Sequence, residues 1–279
     1  MDKIQSLTGM LDLYEDGDNT NLSSKIFETE RRIKKIFSSY QLNEIRTPAL
    51  EDTNLFKRSV GDVSDIVNKE IYSFNDRNDK SIALRPEGTA SVIRAIIEKK
   101  LDQSNHKLWY MGPMWRYERP QKGRYRQFYQ AGIEILGYKE GSPEFEMISI
   151  ICSIIKEFNL QNCHIKINHL GSQENKEAYC KALTDYLAPF KDKLDSKDLE
   201  RLTRNPLRVL DSKNEETILL LKGAPSIKSF LEPSALQLLE DIKNQFGDIC
   251  SIEIDHSLVR GLDYYSGFVF EAISSNLGA

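Results

Sequence analysis

Phe128, Gln130, Gly132 and Glu134 stand two apart and bring an aromatic ring, an amide, a bare backbone and a carboxylate. They fall within 108–136, LWYMGPMWRYERPQKGRYRQFYQAGIEIL, which reads as strand, basic loop, strand. Side chains alternate faces along a strand. The four therefore share a face of the second arm, from about Arg126 to Leu136, and Met114, Arg116 and Glu118 share a face of the first, Leu108 to Glu118. From 128 to 134 the line runs roughly 20 Å at about 3.3 Å per residue. Such a face suits the floor of an elongated polar site, where a flat ring stacks at one end, Arg116 pairs with a phosphate and Glu134 accepts a hydrogen bond from a basic group. Its plainer reading is the solvent face of a two-layer sheet. The other face, Tyr129, Ala131, Ile133 and Ile135, is what a sheet packed on helices needs.

A second group lies upstream. The strand Ile82–Leu84 runs into Arg85-Pro86-Glu87-Gly88-Thr89, and a helix follows with Val92, Ile93, Ile96 and Ile97 on its apolar side. Pro86 and Gly88 bend the backbone and leave Glu87 and Thr89 at the strand's end, although a carboxylate at a helix start also complements the helix dipole. A third group, Arg260-Gly261-Leu262-Asp263-Tyr264-Tyr265, follows a segment in which Ile252, Ile254, His256 and Leu258 share a face. There His256 reads as a satisfied core histidine.

The elements that must position these groups are legible in order. Leu22, Ile26, Ile33, Ile36, Phe37 and Tyr40 form a helical stripe capped by Thr20, Asn21 or Ser23, and NEIRTPALED follows as a short strand closed near Pro48. EIYSF (70–74) is a further short strand. Ser142-Pro143-Glu144 opens a helix with Phe145, Ile148, Cys152, Ile155 and Phe158 as its stripe, and residues 163–167 alternate as a strand. From 170 to 248 helical patterns dominate: Ser172 to about Phe190, around Leu199, Glu215 to Leu221 and Ser234 to Phe246, interrupted by NPLRVLDSKN at 205–214. The β pattern resumes with GFVFEAI near the end. The expected class is α+β, an antiparallel sheet flanked by helices with a helical insertion. The expected divisions are 1–169, 170–248 and 249–279.

Composition narrows the function. The chain has 279 residues, 29% of them charged and 40% hydrophobic, which suits a soluble globular protein of about two domains. A net charge of −4 gives no global signal for nucleic acid, so any RNA contact is local, with the 116–126 loop as candidate. No run approaches a membrane span and MDKIQSLTG lacks an apolar signal core. Cys152, Cys163, Cys180 and Cys250 show no ligand spacing and read as buried or idle thiols of a reducing cytoplasm, and the four histidines are as scattered.

Taken together these stretches resemble the bacterial histidyl-tRNA synthetases, class II aminoacyl-tRNA synthetases, over essentially the whole chain. LRPEGTA is similar to that family's amino-acid loop and RYERPQKGRYRQFYQ, continuing to Glu134, to class II motif 2. NPLRVLDSKN is similar to a landmark of the family's insertion, LVRGLDYY to its histidine-specific signature, and EIRTP to motif 1. The resemblance implies that Arg116 and Arg260 are catalytic and flank the ATP α-phosphate. It implies that Phe128 stacks on adenine, with Arg124 near the phosphates and Glu118 in the ATP site. Glu87, Gly88, Thr89 and Gln130 would hold the amino end of histidine; Glu134 and Tyr265 would hold its ring, and Tyr264 would line the pocket. Arg119 and Gln121 would meet the acceptor end of tRNA(His). It also implies magnesium with ATP, with no ligands assigned, a homodimer through motif 1, and a cytoplasmic place of work. The chain departs from the family pattern at LYEDGD, where a Leu-Pro turn is usual. It also departs at its end, which precedes motif 3 and the anticodon-binding domain and reads as truncation. The competing expectation is the histidine-sensing regulatory subunit of ATP phosphoribosyltransferase, a non-enzymatic paralogue.

Overall fold

The first long element, α1 (Leu22–Ser39), starts where Asn21 Oδ1 accepts the Ser24 N–H at 2.8 Å, so Asn21 is the cap among the three candidates. It buries Ile36 and Phe37, and the Phe37 ring meets Trp109 at 5.5 Å. In this computed structural model residues 3–14, 21–60, 66–119, 124–260 and 265–274 are described. They divide into one unit within residues 3–143 with 156–158, and a second within 144–155 with 159–274.

In the first unit, Gln41 at φ 58 turns the chain out of α1 into β1 (Asn43–Glu44), which pairs parallel with β5 (His106–Trp115). β5 pairs antiparallel with β6 (Gln127–Leu136) over ten residues, from His106↔Leu136 to Trp115↔Gln127. A second sheet has β4 (Ser81–Leu84) between β2 (Leu50–Asp52) and β3 (Ser73–Asn75). Around it lie α2 (Thr53–Val60) and a π-helical turn over Ile66–Glu70. α3 (Thr89–Glu98) follows β4 directly.

Three expectations change here. The first arm ends at Trp115, because the Tyr117 N–H turns to Glu70 O and the Glu118 N–H to Arg116 O, so Glu118 does not continue the strand face. Ile97 is 60% exposed and lies off the buried side of α3, which is made by Ala90, Ser91, Val92 and Ile96. Helices also lie against both faces of the β5–β6 pair and not against one alone. The Phe128–Glu134 face carries the core, since Val92 and Ile96 of α3 cluster with Leu108, Tyr110 and Met114, and Phe128 and Leu136 pack on them. The face expected to bear helices does meet one, since Trp109, the cross-strand partner of Ile133, is buried against Phe37 of α1, while Tyr129 and Ala131 farther along it are exposed.

In the second unit β7 (Cys163–His169) is central, with β8 (Ser251–Ile254) parallel on one side and β9 (Phe268–Ser274) antiparallel on the other. The long helical stretch between β7 and β8 supplies the crossover that a parallel pair needs. Helix α4 (Ser142–Glu157) contributes Ile148 and Cys152 to a core with Ile165 and Ile167 of β7. The helices between the strands are α5 (Gln173–Leu187), α6 (Ser196–Arg204), α7 (Glu215–Leu221) and α8 (Pro233–Phe246). Ser172 caps α5 in a reciprocal box with Asn175, and Gly247 ends α8. NPLRVLDSKN contains a 3-10 turn, Pro206–Asp211. His256 lies beyond β8; its Nδ1 meets Asn168 Oδ1 at 3.2 Å, as a satisfied histidine would. The architecture is α+β, with small, mainly antiparallel sheets and flanking helices.

Candidate functional site

The loop after β4 is braced before it reaches Glu87. Arg85 is buried, and its guanidinium donates to Thr47 O at 2.8 Å, Thr47 Oγ1 at 3.1 Å and Pro113 O at 3.1 Å. It ties the loop to the chain after β1 and to β5, a role the sequence reading did not assign. Next, Pro86 O accepts Arg116 Nε at 2.9 Å.

Glu87 is buried. Its carboxylate accepts the Thr89 N–H at 2.7 Å and the Ala90 N–H at 2.9 Å, so it satisfies two open donors at the start of α3. The helix-start reading of Glu87 is therefore realised in the structure. Thr89 Oγ1 reaches across to Glu134 Oε1 on β6 at 2.7 Å. Between loop and strand stands the Tyr110 ring, with Gly88 on one side and Gly132 on the other.

Burial raises the pKa of both carboxyls. For Glu134 it is pushed up to about 7, because the Thr89 hydrogen bond only partly offsets desolvation and the neighbouring Glu87 charge adds to it. For Glu87 the rise is opposed by the Ala90 and Thr89 bonds and by the Arg116 charge. Two neighbouring carboxyls thus differ in how firmly they hold a charge.

Arg116 lies 5.0 Å from the centre of the Phe128 ring, a cation over an aromatic face. Gln130 Oε1 is buried and accepts no hydrogen bond, so it is an open acceptor. Arg124, exposed, pairs with Glu118 at 3.5 Å, and Arg119 is exposed. At the root of the loop Arg126 lies 3.8 Å over the Tyr117 ring, and the Arg126 and Gln127 N–H groups both donate to Gly9 O. Docking of the N-terminal segment there had no signal in the sequence pattern.

In the second unit Arg260 Nη1 pairs with Glu271 Oε1 at 3.4 Å, and its guanidinium stands 6.0 Å from the Tyr265 ring centre. Leu258, Val259 and Tyr265 pack with Leu207 and Leu210 of the 3-10 turn. Gln121 and Tyr264 lie outside the described residues. The first unit thus gathers Glu87, Gly88, Thr89, Glu134, Arg116 and Phe128, while Arg260 and Tyr265 form a group in the second.

Comparison with known proteins points to one family. A family model described as histidyl-tRNA synthetase matches residues 20–279. A histidine–tRNA ligase of Francisella philomiragia is 46% identical over 254 residues, 90% of this chain and 60% of that protein. An apo histidyl-tRNA synthetase structure from S. aureus superposes with a TM-score of 0.73 at 32% identity, covering 97% of this chain and 61% of that one. A Bacillus halodurans structure described as an ATP phosphoribosyltransferase regulatory subunit/histidyl-tRNA synthetase, at 19% identity and a TM-score of 0.66, shares the fold and covers 99% of this chain and 74% of that one. The chain spans about 60% of the length of the curated relatives it matches. With the family model matching residues 20–279 and a relative 46% identical over 90% of this chain, the chain belongs to the histidyl-tRNA synthetase family.

Proposed function

We propose that the chain carries the histidine-activating machinery of a histidine–tRNA ligase. Histidine and ATP form histidyl-adenylate and pyrophosphate, and histidine then passes to the 3′ end of tRNA(His). The observation that carries this reading is the Glu87–Thr89–Glu134 bridge, with Arg116 over Phe128 on the adjoining hairpin.

The chemistry asks little covalent work of the protein, since the histidine carboxylate is itself the nucleophile. The barrier is the approach of one anion to another. Arg116 faces the α-phosphate, and Arg260, by family resemblance, faces it from the other side. Two guanidiniums offset the charge of the five-coordinate transition state and align attack with pyrophosphate departure. Phe128 offers its ring to adenine; Glu118 and Arg124 serve the remainder of ATP. Each Glu87 oxygen already accepting one N–H keeps a further lone pair for the ammonium group, and the open Gln130 Oε1 accepts from the same group. Glu134, with Tyr265 and Tyr264, selects the imidazole. A pocket built on such bonds rejects apolar rivals by about 10⁴ or more, because they leave its groups unpaired.

Arg119 and Gln121 meet the tRNA acceptor end in this reading. A homodimer forms through α1 and β1. In support, a groove of about 330 Å³ is lined by Leu22, Ile26 and Ile33 of α1 with Met111, Tyr129 and Ala131. The protein works in the cytoplasm; among the described residues no helix is long and apolar enough to cross a membrane. Magnesium is expected with the ATP phosphates. Among the described residues no three His, Cys, Asp or Glu side chains converge to hold a metal, so it is given no protein ligand and no step here depends on it. Against the regulatory-subunit reading stand Arg116, Arg124, Arg260 and NPLRVLDSKN, which serve ATP and the insertion.

The test is histidine-dependent ATP–pyrophosphate exchange by this 279-residue chain. Exchange above background, lost in Arg116→Ala, is the expected result. No exchange by a chain shown to be folded would overturn the activating role.

A further inference from the structure

We propose that Tyr110 is a positioning residue that holds Glu87 and Glu134 at the separation that admits histidine, and that Gly88 and Gly132 are glycines because its ring stands between them. The inference rests on the histidine-site reading above and deepens it to the size of amino acid accepted.

The geometry is tight on both sides. A Cβ at Gly88 would stand 2.1 Å from Tyr110 Cε2, and a Cβ at Gly132 would stand 2.2 Å from Tyr110 Cζ and 2.3 Å from Oη. Real side chains do not approach that closely, so neither position accepts one while the ring stays in place. Gly132 is the direct cross-strand partner of Tyr110 in the β5–β6 register. Gly88 is the residue before α3 and follows Glu87. One ring therefore fills the space between the two segments that carry the carboxylates. The Thr89–Glu134 bond at 2.7 Å closes the bridge beside it.

Ordinary core packing accounts for part of this, since Tyr110 is 5% exposed and belongs to the cluster of Val92, Ile96, Leu108 and Met114. It does not account for bare backbone on both sides of one ring, in the two segments that bear Glu87 and Glu134. The hydroxyl end also feels the charge of Arg85, which braces the loop to β5. A ring so confined keeps the loop from closing onto β6. Removing it would let the pocket change depth, which alters the choice between amino acids and not affinity alone.

The experiment is isothermal calorimetry on this chain with L-histidine and with a bulkier benzimidazolyl-alanine, alongside thermal melts. Tyr110→Leu should weaken histidine about tenfold or more while the analogue loses far less, so that their affinity ratio shifts. Tyr110→Phe keeps the spacer and should hold the wild-type ratio within about twofold. Gly132→Ala should lose histidine binding, and Gly132→Ala with Tyr110→Leu should recover part of it. An unchanged ratio in folded Tyr110→Leu, or no recovery in the double variant, overturns the spacer role and leaves the histidine site standing. Should Tyr110→Leu fail to fold, a shifted ratio in Tyr110→Phe overturns it equally. Absence of histidine binding by the folded wild-type chain would overturn the site reading itself, and the inference with it.

Discussion

Thr89 Oγ1 donates to Glu134 Oε1 across 2.7 Å, joining the first residue of α3 to a strand residue 45 positions later. It is the only described hydrogen bond lowering a carboxyl pKa that burial pushes up to about 7. The folded chain therefore keeps a proton on Glu134 between its ordinary value of 4.5 and about 7, where the unfolded chain has released it. More protons bound in the folded state mean that this contribution to stability falls as pH rises through that window.

Glu134→Gln should therefore stabilise the chain more at pH 8 than at pH 5, with a gap of up to about 3 kcal/mol for a shift of this size. Urea denaturation at the two pH values reads the gap directly. Equal effects at both would show that Glu134 does not titrate there. In the same variant histidine should bind more weakly, because the amide lacks the charge that strengthens the bond to a ring N–H.

Glu51 and Arg94 test how α3 is held on the second sheet. Glu51 is buried and pairs with Arg94 at 2.7 Å, while Arg94 also meets Glu98 on its own helix at 2.5 Å. Arg94→Leu strands a buried carboxylate and should destabilise by about 3 kcal/mol. Glu98→Gln loses only an exposed pair and should cost less than about 1 kcal/mol. Similar losses in urea melts would mean that burial of Glu51 does not set the scale.

Asn168 tests the support beneath Arg260. Its side chain is fully buried; Nδ2 donates to Leu258 O at 2.9 Å and Oδ1 meets His256 Nδ1 at 3.2 Å. Asn168→Leu leaves both partners unsatisfied and should cost about 2–3 kcal/mol. Hydrogen exchange should quicken first in the segment from Asp255 to Arg260. A loss spread evenly over the second unit would count against a local role.

Arg260→Ala should slow pyrophosphate exchange by about 10² to 10³, the usual loss when one oxyanion-stabilising donor is removed. Histidine affinity should change by less than about threefold if, as proposed, the guanidinium acts on the phosphate. A pure binding defect with normal turnover at saturating histidine would assign Arg260 to the amino-acid pocket instead.

Much of this protein was legible without the fold. Asn21, Ser172 and Gly247 mark helix ends because caps act within a turn or two, and period-two alternation set Phe128, Gln130, Gly132 and Glu134 on one face. Glu87, Thr89, Arg116 and Glu134 stood out by type and spacing, although nothing local said that Thr89 would reach Glu134. The helix-bearing face of β6 was legible, since Trp109 opposite Ile133 packs on Phe37 of α1, but the cover of its other face by α3 was not. Alternation says which residues are together, whereas cover depends on where α1 and α3 come to lie. The parallel strands β1 and β8, the Arg85 brace and the Tyr110 ring between Gly88 and Gly132 belong to the same class. Each joins residues tens of positions apart. The sequence by itself determined the elements and the reactive groups, because those follow from near neighbours. Only the tertiary structure decided the spacing between the groups, because packing fills space among segments that no short-range pattern relates.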